Sequence, residues 1–248
     1  MTTTVLVTGG SRGIGRAVAI LAGKRGWRVG VNYAGNAEAA AETVAAVEAA
    51  GGKAIAIPGD VSQEADVIAM FDAIEAAFGP VTAVVNNAGI VAPKSALADM
   101  TLERLRRIFD VNVLGAYLVV REAARRMPTD RGGKGGAIVN VSSMAAKLGA
   151  PGQYVDYAGS KGAIDSLTVG LARELAAAGV RVNGIRPGII ETEIHASGGE
   201  PDRAALLGPS APMGRAGTPE EVAEGILWLL SDAASYATGT TIDISGGR

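Results

Sequence analysis

Tyr157 and Lys161 stand in a Y-x-x-x-K arrangement. On a helix this spacing places a phenol and an ammonium on one face, one turn apart. A phenol with a pKa of about 10 is a poor base at neutral pH, and a neighbouring cation favours the phenolate. Bringing that pKa to about 7 requires roughly 4 kcal/mol of differential stabilisation. A low-dielectric cleft supplies this more readily than water does. The pair therefore suits proton transfer to or from a substrate oxygen. Tyr154 lacks such a partner, because Ala158 follows it at the same spacing. Upstream of Tyr157, at the carboxyl end of an apolar run, lie Ser142 and Ser143. Open α/β sheets bind ligands at that end, where a hydroxyl can hydrogen-bond a reacting oxygen. Strand alternation points the two serines in opposite directions; Ser143 is the first choice and Ser142 the alternative.

A second group of residues suits an anion. Thr8 to Gly15 reads TGGSRGIG, after an apolar run and before a helical pattern with Val18, Leu21 and Ala22. Gly9, Gly13 and Gly15 let the backbone turn tightly and approach a pyrophosphate, and the helix start beyond them offers free N–H groups. The spacing is G-x-x-x-G-x-G rather than the general dinucleotide G-x-G-x-x-G, but the strand before and the helix after are the required context. Ser11, Arg12 and Ile14 complete the loop. Sites that prefer NAD usually place a carboxylate after the second strand. Here that stretch reads Val31-Asn32-Tyr33-Ala34-Gly35-Asn36, and the first acid is Glu38. Nothing there repels a 2′-phosphate. Arg12 offers it a charge-assisted fork, with Asn32 and Tyr33 as neutral partners. The cofactor expected is NADP(H) in preference to NAD(H).

These residues need a scaffold. The strands expected are Thr4–Val7, Arg28–Tyr33, Ala54–Ile57, Thr82–Val85, Ala137–Val141, Arg181–Ile185 and Thr240–Ile244, mostly short apolar runs as in parallel strands covered on both faces. Between them lie amphipathic patterns, such as Val67, Met70, Phe71, Ile74 and Phe78, and Val222, Ile226, Leu229 and Leu230. The Ala-rich stretch Ala37–Ala50 is a good helix former. Strand–helix alternation implies βαβ units and a doubly wound parallel sheet with helices on both faces. Thr129–Gly136 is expected as a surface loop, and one domain spans residues 1–248. The chain has 248 residues, no cysteine and a formal charge of −2. Disulfides and thiolate metal sites are excluded, and there is no basic field for nucleic acid. The start is too short and uncharged for a signal peptide, and no apolar run reaches membrane-spanning length, so the expected location is cytoplasmic, without a membrane partner.

Taken together, the chain resembles the short-chain dehydrogenase/reductase family along essentially its whole length. Besides the glycine loop and Y-x-x-x-K it carries Asn86-Asn87-Ala88-Gly89, Asp60, Asn112 within Val-Asn-Val, and Arg186-Pro187-Gly188 followed by Thr192. The resemblance implies strand order 3-2-1-4-5-6-7 and a tetrad of Asn112, Ser143, Tyr157 and Lys161. In that reading Tyr157 is general acid in reduction and general base in oxidation. Lys161 lowers its pKa and holds the nicotinamide ribose, Ser143 polarises the carbonyl, and Asn112 keeps a water in the proton relay. Asp60 and Val61 flank adenine; Asn87, Ala88 and Gly89 approach the cofactor; Pro187, Gly188, Ile190 and Thr192 reach the nicotinamide end. Asn86 ties neighbouring strands together. The Ser-to-Tyr spacing is one residue longer than in many relatives, through Pro151-Gly152-Gln153-Tyr154. Uncharged Ala176-Ala177-Ala178 lacks the basic residue with which carrier-protein reductases of the family often dock their acidic partner.

The expected reaction is hydride transfer between nicotinamide and a carbonyl or secondary alcohol: a small ketone, a sugar or a 3-oxoacyl group. Two rivals remain, a cofactor-binding sensor without turnover and an epimerase or dehydratase on the same fold. Residues 189–215 are expected to form a mobile substrate lid. His195, the only histidine, has no companions for a metal or triad and reads at most as a lid contact. Arg104, Arg106, Arg107, Arg121, Arg125 and Arg126 are interspersed with acids and read as a solvated helical face. Val111–Val120 and the Tyr157–Leu175 helix are apolar on more faces than one sheet can cover, which implies a homo-oligomer. The resemblance suggests a homotetramer.

Overall fold

Alternation of buried side chains within short β-branched runs builds one parallel sheet with two apolar faces. The structure, a computed structural model, describes residues 2–248. Its strands are β1 (Thr4–Val7), β2 (Arg28–Tyr33), β3 (Lys53–Pro58), β4 (Ala83–Asn86), β5 (Gly136–Val141), β6 (Val180–Pro187) and β7 (Thr241–Ile244). Every expected strand is present, with ends shifted by at most two residues. The order is β3-β2-β1-β4-β5-β6-β7, all pairs parallel, as expected.

The helices are α1 (Gly13–Lys24), α2 (Ala37–Ala49), α3 (Glu64–Phe78), α4 (Leu102–Phe109), α5 (Ala116–Arg126), α6 (Ala145–Leu148), α7 (Val155–Leu175), α8 (Ile194–Ser197), α9 (Arg203–Leu207) and α10 (Pro219–Leu230). The pleat sorts neighbouring residues onto opposite faces. Val5 and Val7 pack with α1, α2 and α10, whereas Leu6 packs with α3, α5 and α7. The apolar stripe Val67, Met70, Phe71 and Ile74 of α3 is fully buried. Because all strands run one way, their carboxyl ends and the loops beyond them share one edge of the molecule.

Between α4 and α5 the chain passes through a π-helical segment, Asp110–Gly115, without leaving the helix axis. Gly115 lets the segment pack closely on the loop after β3: a Cβ there would stand 2.8 Å from Val61 Cγ2. The arginines of this region are not all on a solvated face. Arg104 Nε lies 2.8 Å from Asp156 Oδ2, whose side chain is almost completely buried, and so ties α4 to α7. Arg126 meets Asp72, Glu75 and Glu122, each at 2.8 Å, and ties α5 to α3. Partners distant in sequence turn these two cations inward.

Candidate active site

At the carboxyl edge the glycine loop and the loop after β4 are built as one unit. Gly9 and Gly13 have φ of 62° and 51°, and a Cβ on Gly15 would stand 2.3 Å from the Gly9 carbonyl oxygen. Glycine is required at these positions for the turn and for the close approach. Thr8, which carried no expectation, braces the unit. Its hydroxyl accepts from Asn87 N (2.9 Å) and Ala88 N (3.0 Å) and donates to Val85 O. Asn87 Nδ2 in turn donates to the carbonyls of Thr8 and Gly9. Helix α1 starts at Gly13 with no side chain capping its first amides. Tight glycines and free helix-start N–H groups form a cradle that fits a pyrophosphate.

Asn32 departs from expectation. It is buried; its Oδ1 accepts from Gly9 N (3.2 Å) and its Nδ2 donates to the carbonyls of Ile57 (3.3 Å) and Gly59 (3.0 Å). No group of this side chain remains for a ribose phosphate: it shapes the glycine loop from below. Tyr33, one residue on, is partly exposed, and Arg12 is exposed with its Nη1 3.2 Å from Ser197 Oγ. Asn36 is occupied in capping α2. Asp60 Oδ1 accepts from the N–H and hydroxyl of Ser62, and Arg107 faces its other oxygen. Burial alone would raise the Asp60 pKa, but these contacts bring it below the ordinary carboxylate value. Val61 is buried against Gly115, so its side chain belongs to the packing beneath the edge.

The proton-transfer residues converge from three elements. Tyr157 and Lys161 project from α7, and the Lys161 Nζ lies 5.6 Å from the Tyr157 ring centre. Lys161 is buried and donates to Val141 O at 2.8 Å, at the end of β5. The two serines part as alternation requires. Ser142 is buried and donates to the Lys161 carbonyl (3.1 Å), whereas Ser143 stands in the cleft with its hydroxyl toward the Tyr157 phenol. Asn112, from the π-helical segment, accepts from Ile90 N (2.8 Å) and donates to Ile90 O (2.9 Å) and Ser160 Oγ (3.2 Å). Its side chain is thus a brace between the loop after Gly89 and α7. Asn86 donates to Asn140 Oδ1 and Ala116 O, tying β4 to β5 and α5.

Burial raises the Tyr157 pKa, with the Ser143 hydrogen bond working against it, and burial lowers Lys161 to about 8 while Asp165 opposes that drop. The protein's own groups therefore keep the phenol protonated; Lys161 alone does not bring it down. A cavity of about 480 Å³ joins Ser143, Tyr157 and Lys161 to Ile14, Asn87, Gly89, Pro187, Gly188, Ile190 and Thr192. Gly188 is held to β7 by N–H donation to Ile244 O, and Ile190 bridges to Gly217. His195 Nε2–H donates to the Ile190 carbonyl at 2.9 Å and also lines the cavity. Among the described residues no cluster of His, Asp or Glu could hold a metal ion, and no helix is long and apolar enough to cross a membrane.

A glycine cradle beside a Ser/Tyr/Lys cleft at the carboxyl edge of this sheet defines a nucleotide-dependent oxidoreductase site. The model of the family adh_short_C2, described as enoyl-(acyl carrier protein) reductase, matches residues 9–248. The chain belongs to the short-chain dehydrogenase/reductase family of oxidoreductases. It is 55% identical over 243 residues to the uncharacterized oxidoreductase YgfF of Escherichia coli (strain K12), covering 98% of each chain. It is 43% identical to 3beta-hydroxysteroid dehydrogenase 1 of Eggerthella lenta, over 98% of this chain and 92% of that one. The crystal structure of 3-ketoacyl-(acyl-carrier-protein) reductase from Brucella melitensis complexed with NADH superposes with a TM-score of 0.91 at 33% identity, covering 99% of this chain and 98% of that one.

Proposed function

We propose that this chain is an NADP(H)-dependent dehydrogenase/reductase that interconverts a carbonyl and a secondary alcohol, with Asn112, Ser143, Tyr157 and Lys161 as its catalytic group. The convergence of Ser143, Tyr157 and Lys161 on one cavity that opens onto the glycine cradle carries this reading. Gly9, Ser11, Gly13, Ile14 and Gly15 would hold the pyrophosphate side, Asp60, Val61, Asn87, Ala88 and Gly89 the adenosine and ribose side, and Pro187, Gly188, Ile190 and Thr192 the nicotinamide end. When bound, the nicotinamide supplies or accepts the hydride. Tyr157, held protonated by its surroundings, gives its proton to the substrate oxygen in reduction and recovers it in oxidation. Ser143 donates a hydrogen bond to that oxygen, and Lys161 places a cation beneath the phenol as negative charge develops. Asn112 acts one step back, fixing Ile90 and Ser160 so that the loop after Gly89 and α7 keep their distance. Tyr157→Phe is expected to abolish turnover and leave NADPH affinity within about threefold, because only the transferable proton is lost. Retention of more than a few per cent of wild-type kcat refutes the assignment.

The NADP(H) preference is supported by the absence of a carboxylate between Val31 and Asn36 and by the exposed Arg12, whose side chain among the described residues hydrogen-bonds only Ser197. With Asn32 engaged below the loop, Arg12 and Tyr33 are the residues left to meet a 2′-phosphate. We expect kcat/KM to favour NADPH over NADH by at least about tenfold, roughly 1.4 kcal/mol, and Arg12→Ala to erase most of that preference by weakening NADPH alone. Equal use of NADH by the wild type overturns the cofactor choice and leaves the catalytic assignment standing. Residues 189–215 form the substrate lid in this reading. The protein works as a homotetramer in the cytoplasm.

A further inference from the structure

Tyr154 and Glu200 have no part in proton transfer, yet they meet beside the substrate end of the cavity. The Tyr154 O–H donates to Glu200 Oε2 and Lys94 pairs with Oε1. Arg203 Nη1 lies 2.7 Å from Glu200 Oε2, its Nη2 donates to Gln153 Oε1 at 2.9 Å, and its guanidinium stacks 5.1 Å from the Tyr154 ring centre. Three separate segments are joined in this way: the loop after β4, the longer-than-usual loop before α7, and the 189–215 segment. Burial and the Glu200 carboxylate push the Tyr154 phenol up to about 12. Burial works to raise Glu200, but Lys94, Tyr154 and Arg203 outweigh it and bring the carboxyl down to about 2. The proton stays on Tyr154 and the charge on Glu200 at any physiological pH.

We propose that Glu200 determines substrate specificity: by clasping Tyr154, Lys94 and Arg203 it fastens the 189–215 segment over the cavity and withholds Arg203 from the substrate, so that the site takes uncharged ketones and alcohols rather than keto acids. The proposal rests on the oxidoreductase reading above. The charged side chains lining the cavity are Lys161, Arg203 and Arg248, with no carboxylate among them. Lys161 lies buried against Val141, and Arg248 is exposed. Arg203 is the one inner cation a substrate carboxylate could use; its Nη1 is directed at Glu200, its Nη2 at Gln153, and its face lies on the Tyr154 ring. The surrounding wall is apolar, with Met144, Leu148, Ile194 and Leu207. A carboxylate set against the apolar part of this wall is left unpaired at a desolvation penalty, and one that turns to Arg203 competes for it with Glu200, Gln153 and the Tyr154 ring.

The test is calorimetric binding of methyl levulinate and levulinate, a ketone pair differing in charge at the far end, to the NADP-saturated protein. The wild type is expected to bind the ester at least about tenfold more tightly. Glu200→Gln should shrink that ratio at least about tenfold, mainly through tighter levulinate binding, and the double variant Glu200→Gln/Arg203→Gln should restore the ester preference. Amide exchange across residues 194–207 should accelerate in Glu200→Gln, and to a smaller degree in Tyr154→Phe, which keeps the ring and loses the hydroxyl bond. Equal or tighter levulinate binding by the wild type, binding of neither ligand, or an unchanged ratio in Glu200→Gln overturns the proposal. If both ligands bind in the expected ratio and no hydride transfer to either ketone is seen with NADPH, the oxidoreductase reading falls and the clasp stands.

Discussion

Replacing Asn32 with alanine separates two roles that the residue's position at the end of β2 leaves confounded. Its amide makes three hydrogen bonds, one from Gly9 N–H and two to the carbonyls of Ile57 and Gly59, in a site almost closed to water. Alanine leaves the Gly9 N–H without that acceptor, about 1–3 kcal/mol for a buried donor, and removes two further bonds worth about 0.5–1.5 kcal/mol each. The loss of stability should therefore be about 2–6 kcal/mol, at least roughly 4 °C in Tm for a domain of this size. In Asn32→Asp the acceptor for Gly9 survives, but the donor becomes a charged oxygen facing two carbonyls. That variant should be at least as unstable. Urea unfolding reads the effect as a lower midpoint at unchanged slope, and an NADPH titration of the folded variant runs beside it. An unchanged midpoint together with lost NADPH affinity would show that Asn32 touches the ligand instead of building its loop.

Four further outcomes test the rest. Lys161, at about 8, carries its ammonium below that pH and loses it above, so ketone reduction that relies on this cation should fall as pH rises through about 8. Asp165 opposes the effect of burial on Lys161, so Asp165→Asn should move this alkaline limb to lower pH; a limb that stays or moves upward refutes the coupling. Lys161→Ala should lower both kcat and NADPH affinity, whereas a variant that loses only kcat would leave the ribose role unsupported. Phe109, Leu114, Tyr117 and Val169 are exposed on the α4–α5 and α7 surfaces. Leu114→Asp should therefore convert a tetramer to smaller species in sedimentation, and a wild-type monomer at micromolar concentration would overturn the assembly.

What was readable in the sequence is what short-range periodicity encodes. Runs such as Val5-Leu6-Val7 and Val84-Val85 fix strands by composition, and the Val67–Ile74 stripe fixes the buried face of α3. Alternation also foretold that Ser142 and Ser143 would point in different directions, without saying which of them meets the phenol. Roles that depend on a distant partner were not readable. Asn32 reads as a partner for a 2′-phosphate until Gly9 and Gly59 close over it. Arg104 and Arg126 look solvated until Asp156, Glu75 and Asp72 arrive from other helices. The π-helical turn at Asp110–Gly115 leaves almost no trace in apolar spacing, because its wider turn hardly disturbs the pattern of Val111–Val120, which apart from Asn112 is apolar on almost every side. Tyr154 seemed idle because Glu200 lies 46 residues away.

The joint between Thr8 and Asn87 bears on how this protein emerges from the ribosome. The glycine loop is synthesised before the groups that hold its shape, which lie 23 to 79 residues later, at Asn32 and Asn87. Gly188, at the far end of the same cleft, leans on β7, whose last residue is Ile244. A nascent chain thus carries the motif long before it carries the site. Ligand binding can therefore protect the nascent chain only once the later segments that complete the cradle and the cleft have emerged.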